Sequence, residues 1–248
     1  MDTDMLTATL LYGMFILLSK VNKSNMEITS KSEWNNWDEI DWVKVDSRIF
    51  KLQKRIYRAS QTEDYKLVHK LQKLMVKSWY GKLLAVRKVT QENKGKVTAG
   101  IDGIKSVPSS KRLSLVNQLA IDGIANPTRR VWIPKPGKKE MRPLGIPTIL
   151  DRAKQTLLKL ALEPEWEARF EPNSFGFRPG RSCHDALTAI KDSIRYKPKF
   201  VLDADISKCF DNINHDSLLT KINTLPYFRK QINSWLKSGV IDFSIMGR

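Results

Sequence analysis

The sequence predicts an α+β fold, and three observations carry that reading. Residues Val45–Gln91 place apolar side chains at helical spacing, with basic residues on the other faces. Arg129–Pro134 and Met141–Pro147 read as two strands around the basic turn Lys135–Glu140, or as a pair of Pro-punctuated loops. Helices and strands then mix without a βαβ rhythm, which argues against a parallel sheet.

The elements follow in order. Met5–Leu18 is an apolar run of 14 residues, short for a bilayer span. The acids Asp2 and Asp4 before it do not suit a signal peptide. A soluble-looking sequence opens at Met26, so residues 1–25 are expected to be an upstream extension; a short membrane anchor is the alternative. Trp34, Trp37 and Trp42 form a packing lead-in. Ile49, Leu52 and Ile56, then Leu67, Leu71 and Leu74, mark two helices broken at Gln61–Asp64, with Thr62 or Ser60 as cap. Asn93–Gly103 is a Gly-rich loop, and Ser109–Ala120 a helix capped by Ser109 or Ser110. Leu150–Phe170 and Ser182–Tyr196 read as helices, Phe200–Asp205 as a strand, and His215–Thr224 and Phe228–Lys237 as helices. Val240–Phe243 begins a strand.

The formal net charge is +17, which makes nucleic acid the first partner to consider. The charge is concentrated. Arg48–Lys96 holds 14 Lys and Arg against three acids, and Arg129–Arg142 holds six against one. A membrane-surface helix is the minor alternative for a basic segment. Cys183 and Cys209 form no Cys-x-x-Cys pair, so neither a zinc site nor a disulfide framework is suggested, and a reducing compartment fits. His69, His184 and His215 lack metal-ligand spacing.

Four segments carry the candidate chemistry. In VLDADISKCFDNINHD, Val201–Asp216, a strand ending in an acid would deliver a carboxylate to a sheet edge; the plain alternative is a strand-to-helix turn with solvated acids. In TAGIDG, Thr98–Gly103, Gly100 and Gly103 would let a backbone approach a phosphate, although an ordinary turn explains them equally. In Arg129–Arg152, Pro134, Pro136 and Pro143 stiffen a basic hairpin. In SFGFRPGRSCHDAL, Ser174–Leu187, Phe175 and Phe177 precede Arg178 and Arg181, which suits stacking on and clamping a strand, or a packed turn before a helix; both are expected, with the aromatics mostly structural and Arg178 partly functional.

Taken in their order along the chain, the four segments resemble the reverse transcriptases encoded by group II introns. The resemblance covers roughly residues 26–240. It implies a right-hand polymerase's fingers and partial palm over residues 106–248, preceded by a helical, basic, RNA-binding region over 26–105. By resemblance, Asp205 is the catalytic, metal-binding aspartate, and the Ile206 backbone carbonyl is a further metal ligand. Phe210 lines the ribose site, and Lys135 and Arg142 bind the triphosphate. Gly100, Gly103, Arg178 and Arg181 lie along the template RNA. The implied cofactor is Mg²⁺ in a two-metal site. The implied partners are a template or intron RNA, a DNA primer and deoxynucleotide triphosphates, without stable membrane association or secretion. A bacterial cytoplasm or an organelle's matrix or stroma would fit.

The family's Pro-Gln-Gly and Tyr-x-Asp-Asp motifs do not occur in the sequence and are expected beyond Arg248, so the chain reads as an N-terminal fragment with too few metal ligands to act alone. Two other readings stand beside this one. An RNA-binding splicing cofactor without polymerase activity would keep the basic region alone. A reverse transcriptase of another retroelement class fits Asp205 but fits Arg129–Arg152 less well.

Overall fold

The computed structural model describes residues 34–137 and 139–243. Met5–Leu18, Met26 and the proposed extension lie outside them. The fold is α+β, as expected: a helical N-terminal half, then a small sheet and further helices.

A 3-10 turn at Trp37–Glu39 buries Trp37 against Trp42, their rings 5.0 Å apart. Helix α1, Trp42–Gln61, starts where Asp41 accepts the Lys44 N–H. It turns Val45, Ile49, Leu52 and Ile56 inward. The break at 62–64 is as expected, but its cap is not. Asp64 caps α2, Tyr65–Lys77, by accepting the Leu67 N–H. Ser60 is instead buried and donates to the Glu165 carbonyl. In α2 the buried stripe is Val68, Leu71, Met75 and Val76, so Leu67 faces solvent and Leu74 is only half-buried. Ser78 closes α2 and caps α3, Trp79–Arg87, which runs into a π-turn at Lys88–Glu92. Helix α4, Ser109–Gln118, follows Pro108 with no side-chain cap, so neither serine serves as one.

Strands β1, Thr128–Pro134, and β2, Met141–Ile146, form the antiparallel hairpin read from the sequence, with Ile133 opposite Arg142. Helix α5, Ile149–Arg169, starts at Thr148 and packs along α1, α2 and α3. It contains Pro164, which has no N–H for the Leu160 carbonyl four residues back. The Gln53 side-chain amide on α1 donates to that carbonyl instead, at 3.1 Å. The proline therefore costs the helix no unsatisfied acceptor, and it ties α5 to α1. One residue on, Glu165 accepts from Gln72 of α2 at 2.7 Å. The shared core runs from Trp37 to Phe228 and includes Leu83, Val86, Leu157 and Ala161, so helices on both sides of residue 105 contribute to it.

Helix α6, Cys183–Ile194, opens with a reciprocal Ser182–Asp185 capping box. A single turn α7, Cys209–Asn212, precedes α8, His215–Ile222, and α9, Pro226–Leu236. Strand β3, Val240–Ile241, pairs in parallel with Thr128–Arg129, giving a sheet ordered β2-β1-β3.

Phe200–Asp205 is not a strand. A strand needs a neighbour for its N–H and C=O groups. The sheet of the described residues does not extend to this segment, and Phe200, Val201, Leu202 and Ile206 are all exposed. No helix among the described residues is long and apolar enough to cross a membrane.

Candidate functional site

The hairpin carries two faces because side chains alternate along a strand. Arg129, Val131, Ile133 and Lys135 share a face with Ile146, Leu144, Arg142 and Glu140, given the observed register. Lys135 and Arg142 are thus diagonal neighbours on one surface, about 7–8 Å apart at the backbone for such pairs. Arg142 is exposed and makes no hydrogen bond or ion pair with another described residue. Lys135 is paired: its ammonium contacts the Glu140 carboxylate, which that hydrogen bond holds below the usual Glu range. An incoming anion would meet Arg142 open and would have to compete with Glu140 for Lys135. The opposite face holds Trp132, whose Nε1 donates to Asp242 at 3.0 Å.

The base of the hairpin is anchored by residues not singled out from the sequence. Arg152 donates to the carbonyls of Pro147 at 3.0 Å, Gly95 at 2.8 Å and Thr98. Asp102 accepts from the Ile149 N–H at 3.3 Å. Asp151 accepts from Thr148, Asn126 and Trp235. The signal was partly in view, since Asp102 stands inside TAGIDG and an Asp in a Gly-rich turn commonly hydrogen-bonds nearby backbone.

Gly100 is buried, and its bare Cα serves packing. A Cβ there would lie 2.7 Å from the Pro147 carbonyl oxygen and 2.8 Å from the Thr148 backbone. Gly103 takes a left-handed φ of +68° in open space, the conformation that favours glycine.

Arg178 is a correction. Its side chain is only 5% exposed and forks onto Glu167 at 2.6 and 3.0 Å while donating to the Glu171 and Ser174 carbonyls. It braces the turn after α5 and is not open to a template. Arg181, partly exposed, donates to the Pro172 carbonyl and lies over the Phe175 ring at 5.5 Å. The aromatics divide: Phe175 is half-buried beneath Arg181. Phe177 is fully exposed, on a backbone at φ +57°, a conformation costly for a bulky residue.

Asp205 and Ile206 lie on the exposed segment ahead of α7, and Phe210 of α7 is 89% exposed. Asp205 makes no hydrogen bond or ion pair with another described residue. A carboxylate and a backbone carbonyl are hard oxygen donors, a set that suits Mg²⁺. Among the described residues no group of three or more His, Cys, Asp or Glu side chains could hold a metal.

Residues 37–119 match the N-terminal domain of reverse transcriptase, and residues 133–247 match reverse transcriptase (RNA-dependent DNA polymerase). The chain belongs to the reverse transcriptases. Within that family it is 40% identical over 156 residues to the group II intron-encoded protein LtrA of Lactococcus lactis, covering 60% of this chain and 26% of LtrA. It is 32% identical over 210 residues to protein YkfC of Escherichia coli, covering 79% of this chain and 54% of YkfC. Maturase-like protein 1 of Euglena gracilis is 31% identical over 193 residues, 73% of this chain and 41% of that protein. The chain thus spans about half the length of YkfC and less of the other two.

Proposed function

We propose that the chain forms the fingers and the first catalytic palm motif of a group II intron-type RNA-directed DNA polymerase. One observation carries this reading: Lys135 and Arg142 are diagonal neighbours on one face of a stiff hairpin, in a chain whose residues 133–247 match a polymerase family. Arg142 offers a planar fork to phosphate oxygens and Lys135 a point charge beside it. Phe210 would wall the sugar. Asp205 and the Ile206 carbonyl would hold Mg²⁺, which in such enzymes activates the primer hydroxyl and neutralises the leaving pyrophosphate. Arg181, Gly103 and the packed Gly100 loop would border the template. The partners would be an RNA template or intron RNA, a DNA primer and deoxynucleotide triphosphates, in a bacterial cytoplasm or an organelle.

The test is primer extension on an RNA template by the polymerase that carries this chain. Asp205→Asn should abolish synthesis and spare RNA binding, and Arg142→Ala should raise the nucleotide KM. Synthesis by Asp205→Asn near the unmutated rate would overturn the assignment.

A second reading, a splicing cofactor that binds RNA without synthesising DNA, draws support from the maturase-like relative and the unpaired basic face of α2. Tight binding to one intron RNA with no extension would favour it.

A further inference from the structure

Arg152 spends its whole guanidinium on main chain. It stands in the first turn of α5, where Nε donates to the Pro147 carbonyl at 3.0 Å, Nη1 to the Gly95 carbonyl at 2.8 Å and Nη2 to the Thr98 carbonyl. Pro147 is the residue by which the chain leaves β2, and Gly95 and Thr98 belong to the Gly-rich loop. A guanidinium is planar with fixed N–H directions, so it holds the three carbonyls in one geometry. The same junction is closed twice more. Asp102, near the end of the loop, accepts from the Ile149 N–H at 3.3 Å and from the Ile104 N–H at 3.2 Å. Between these two ties Gly100 lies so close that a Cβ would meet the Pro147 carbonyl oxygen at 2.7 Å. Helix α5 does not need the clamp to start, because Thr148 already caps it.

We propose that Arg152 is a positioning residue: it locks the Gly-rich loop to the exit of the hairpin, so that a template seated on the loop fixes where Lys135 and Arg142 meet the nucleotide. This role rests on the polymerase reading and joins the template and nucleotide surfaces of that reading. The lever is long. Arg142 lies five residues before Pro147 on β2, about 17 Å away at about 3.3 Å per residue. A tilt of about 5° at the exit would carry Arg142 by about 1.5 Å, and a misplacement of about 1 Å can cost a positioned reaction about a hundredfold. Direct contact of Arg152 with a template phosphate fits less well, because all three of its nitrogens already have acceptors.

The test is steady-state primer extension by the polymerase that carries this chain, with template saturating and the nucleotide varied. Arg152→Lys keeps the charge, but one ammonium does not reproduce a planar fork across three carbonyls. It should raise the nucleotide KM about tenfold and leave kcat within about twofold. Arg142→Ala should raise KM as well. The double variant should match Arg142→Ala within about twofold, since the displaced strand then carries no Arg142 to misplace. Ser60→Ala removes a buried contact between α1 and α5 away from the hairpin, so it controls for destabilisation and should leave KM unchanged. If Arg152→Lys does not fold by circular dichroism, Asp102→Ala cuts the same junction from the loop side and carries the same expectation. An unchanged KM in Arg142→Ala would overturn the hairpin reading itself. A raised KM there, with Arg152→Lys unaffected or the two effects multiplying, would overturn the role of Arg152 alone. So would an equal rise in Ser60→Ala, or weaker template binding by Arg152→Lys with an unchanged KM.

Discussion

Asp151→Ala should be among the most damaging single changes away from the nucleotide-facing surface. Asp151 is 1% exposed and accepts four hydrogen bonds. These come from Thr148 Oγ1 at 2.7 Å, Asn126 Nδ2 at 2.9 Å, the Asn126 N–H at 3.2 Å and Trp235 Nε1 at 3.2 Å. The Thr148 hydroxyl and the Asn126 amide can rotate towards other acceptors. The Asn126 N–H and the Trp235 indole cannot; Asn126 is exposed, so water can replace the carboxylate there, and the half-buried indole is the donor left to bear the about 1–3 kcal/mol that an orphaned buried donor costs. The change should therefore cost about 1–3 kcal/mol, a sizeable share of the roughly 5–15 kcal/mol that holds a domain folded. Trp235→Phe removes one donor, and the double mutant should lose less than the sum of the two single changes. The assay is urea unfolding followed by circular dichroism at 222 nm, which does not depend on Trp235 as a probe. A loss below about 1 kcal/mol for Asp151→Ala would refute the reasoning, because water would then be replacing the carboxylate.

Two further outcomes follow from the same contacts. Gly100→Ala drives a Cβ into the backbone of Pro147 and Thr148, which cannot yield as a side chain would; it should cost about 1–3 kcal/mol and speed hydrogen exchange over residues 128–146, and unchanged exchange there would count against coupling between loop and hairpin. Glu167 is held below its ordinary value of 4.5, first by its hydrogen bond to Arg178, so its contribution is present above that value and is lost as pH falls through the lowered folded value. Glu167→Gln should flatten the acid limb of a stability-against-pH curve below about pH 4.5, and an identical limb in the variant would show that the pair contributes nothing.

Much of the fold was legible because its signals are local. The α1 stripe, the hairpin turn and the helix opening after Ser182 each announce themselves within a few residues. What failed depended on distant partners. Leu67 and Val68 are equally apolar, and only the packing of α5 against α2 decides which is buried. Ser60 looks like a cap until Glu165 comes within reach. Arg178 reads as a surface cation because Glu167 lies on the preceding helix, eleven residues back. Phe200–Asp205 has the composition of a strand, but no residues pair with it among those described. For the site, the sequence indicated the residue types Lys135 and Arg142, and the register added that they share a face. The anchors Arg152 and Asp151 were missed because their partners are backbone carbonyls and donors from other elements, which leave little pattern in a sequence.

The sheet carries a consequence for the order in which the chain can fold. Thr128 and Arg129 pair with Val240 and Ile241, Trp132 bonds to Asp242, and the Gly123 N–H donates to Gln231. The last two contacts span 110 and 108 residues. A ribosome adding about 5–20 residues per second would need roughly 5–20 s to supply those partners after residue 132 is made. The β1–β2 turn can close on its own within microseconds. Its base can be held by Arg152 and Asp102 as soon as α5 begins, but the outer edge of β1 must wait for β3, so during synthesis the hairpin exists first with that edge open.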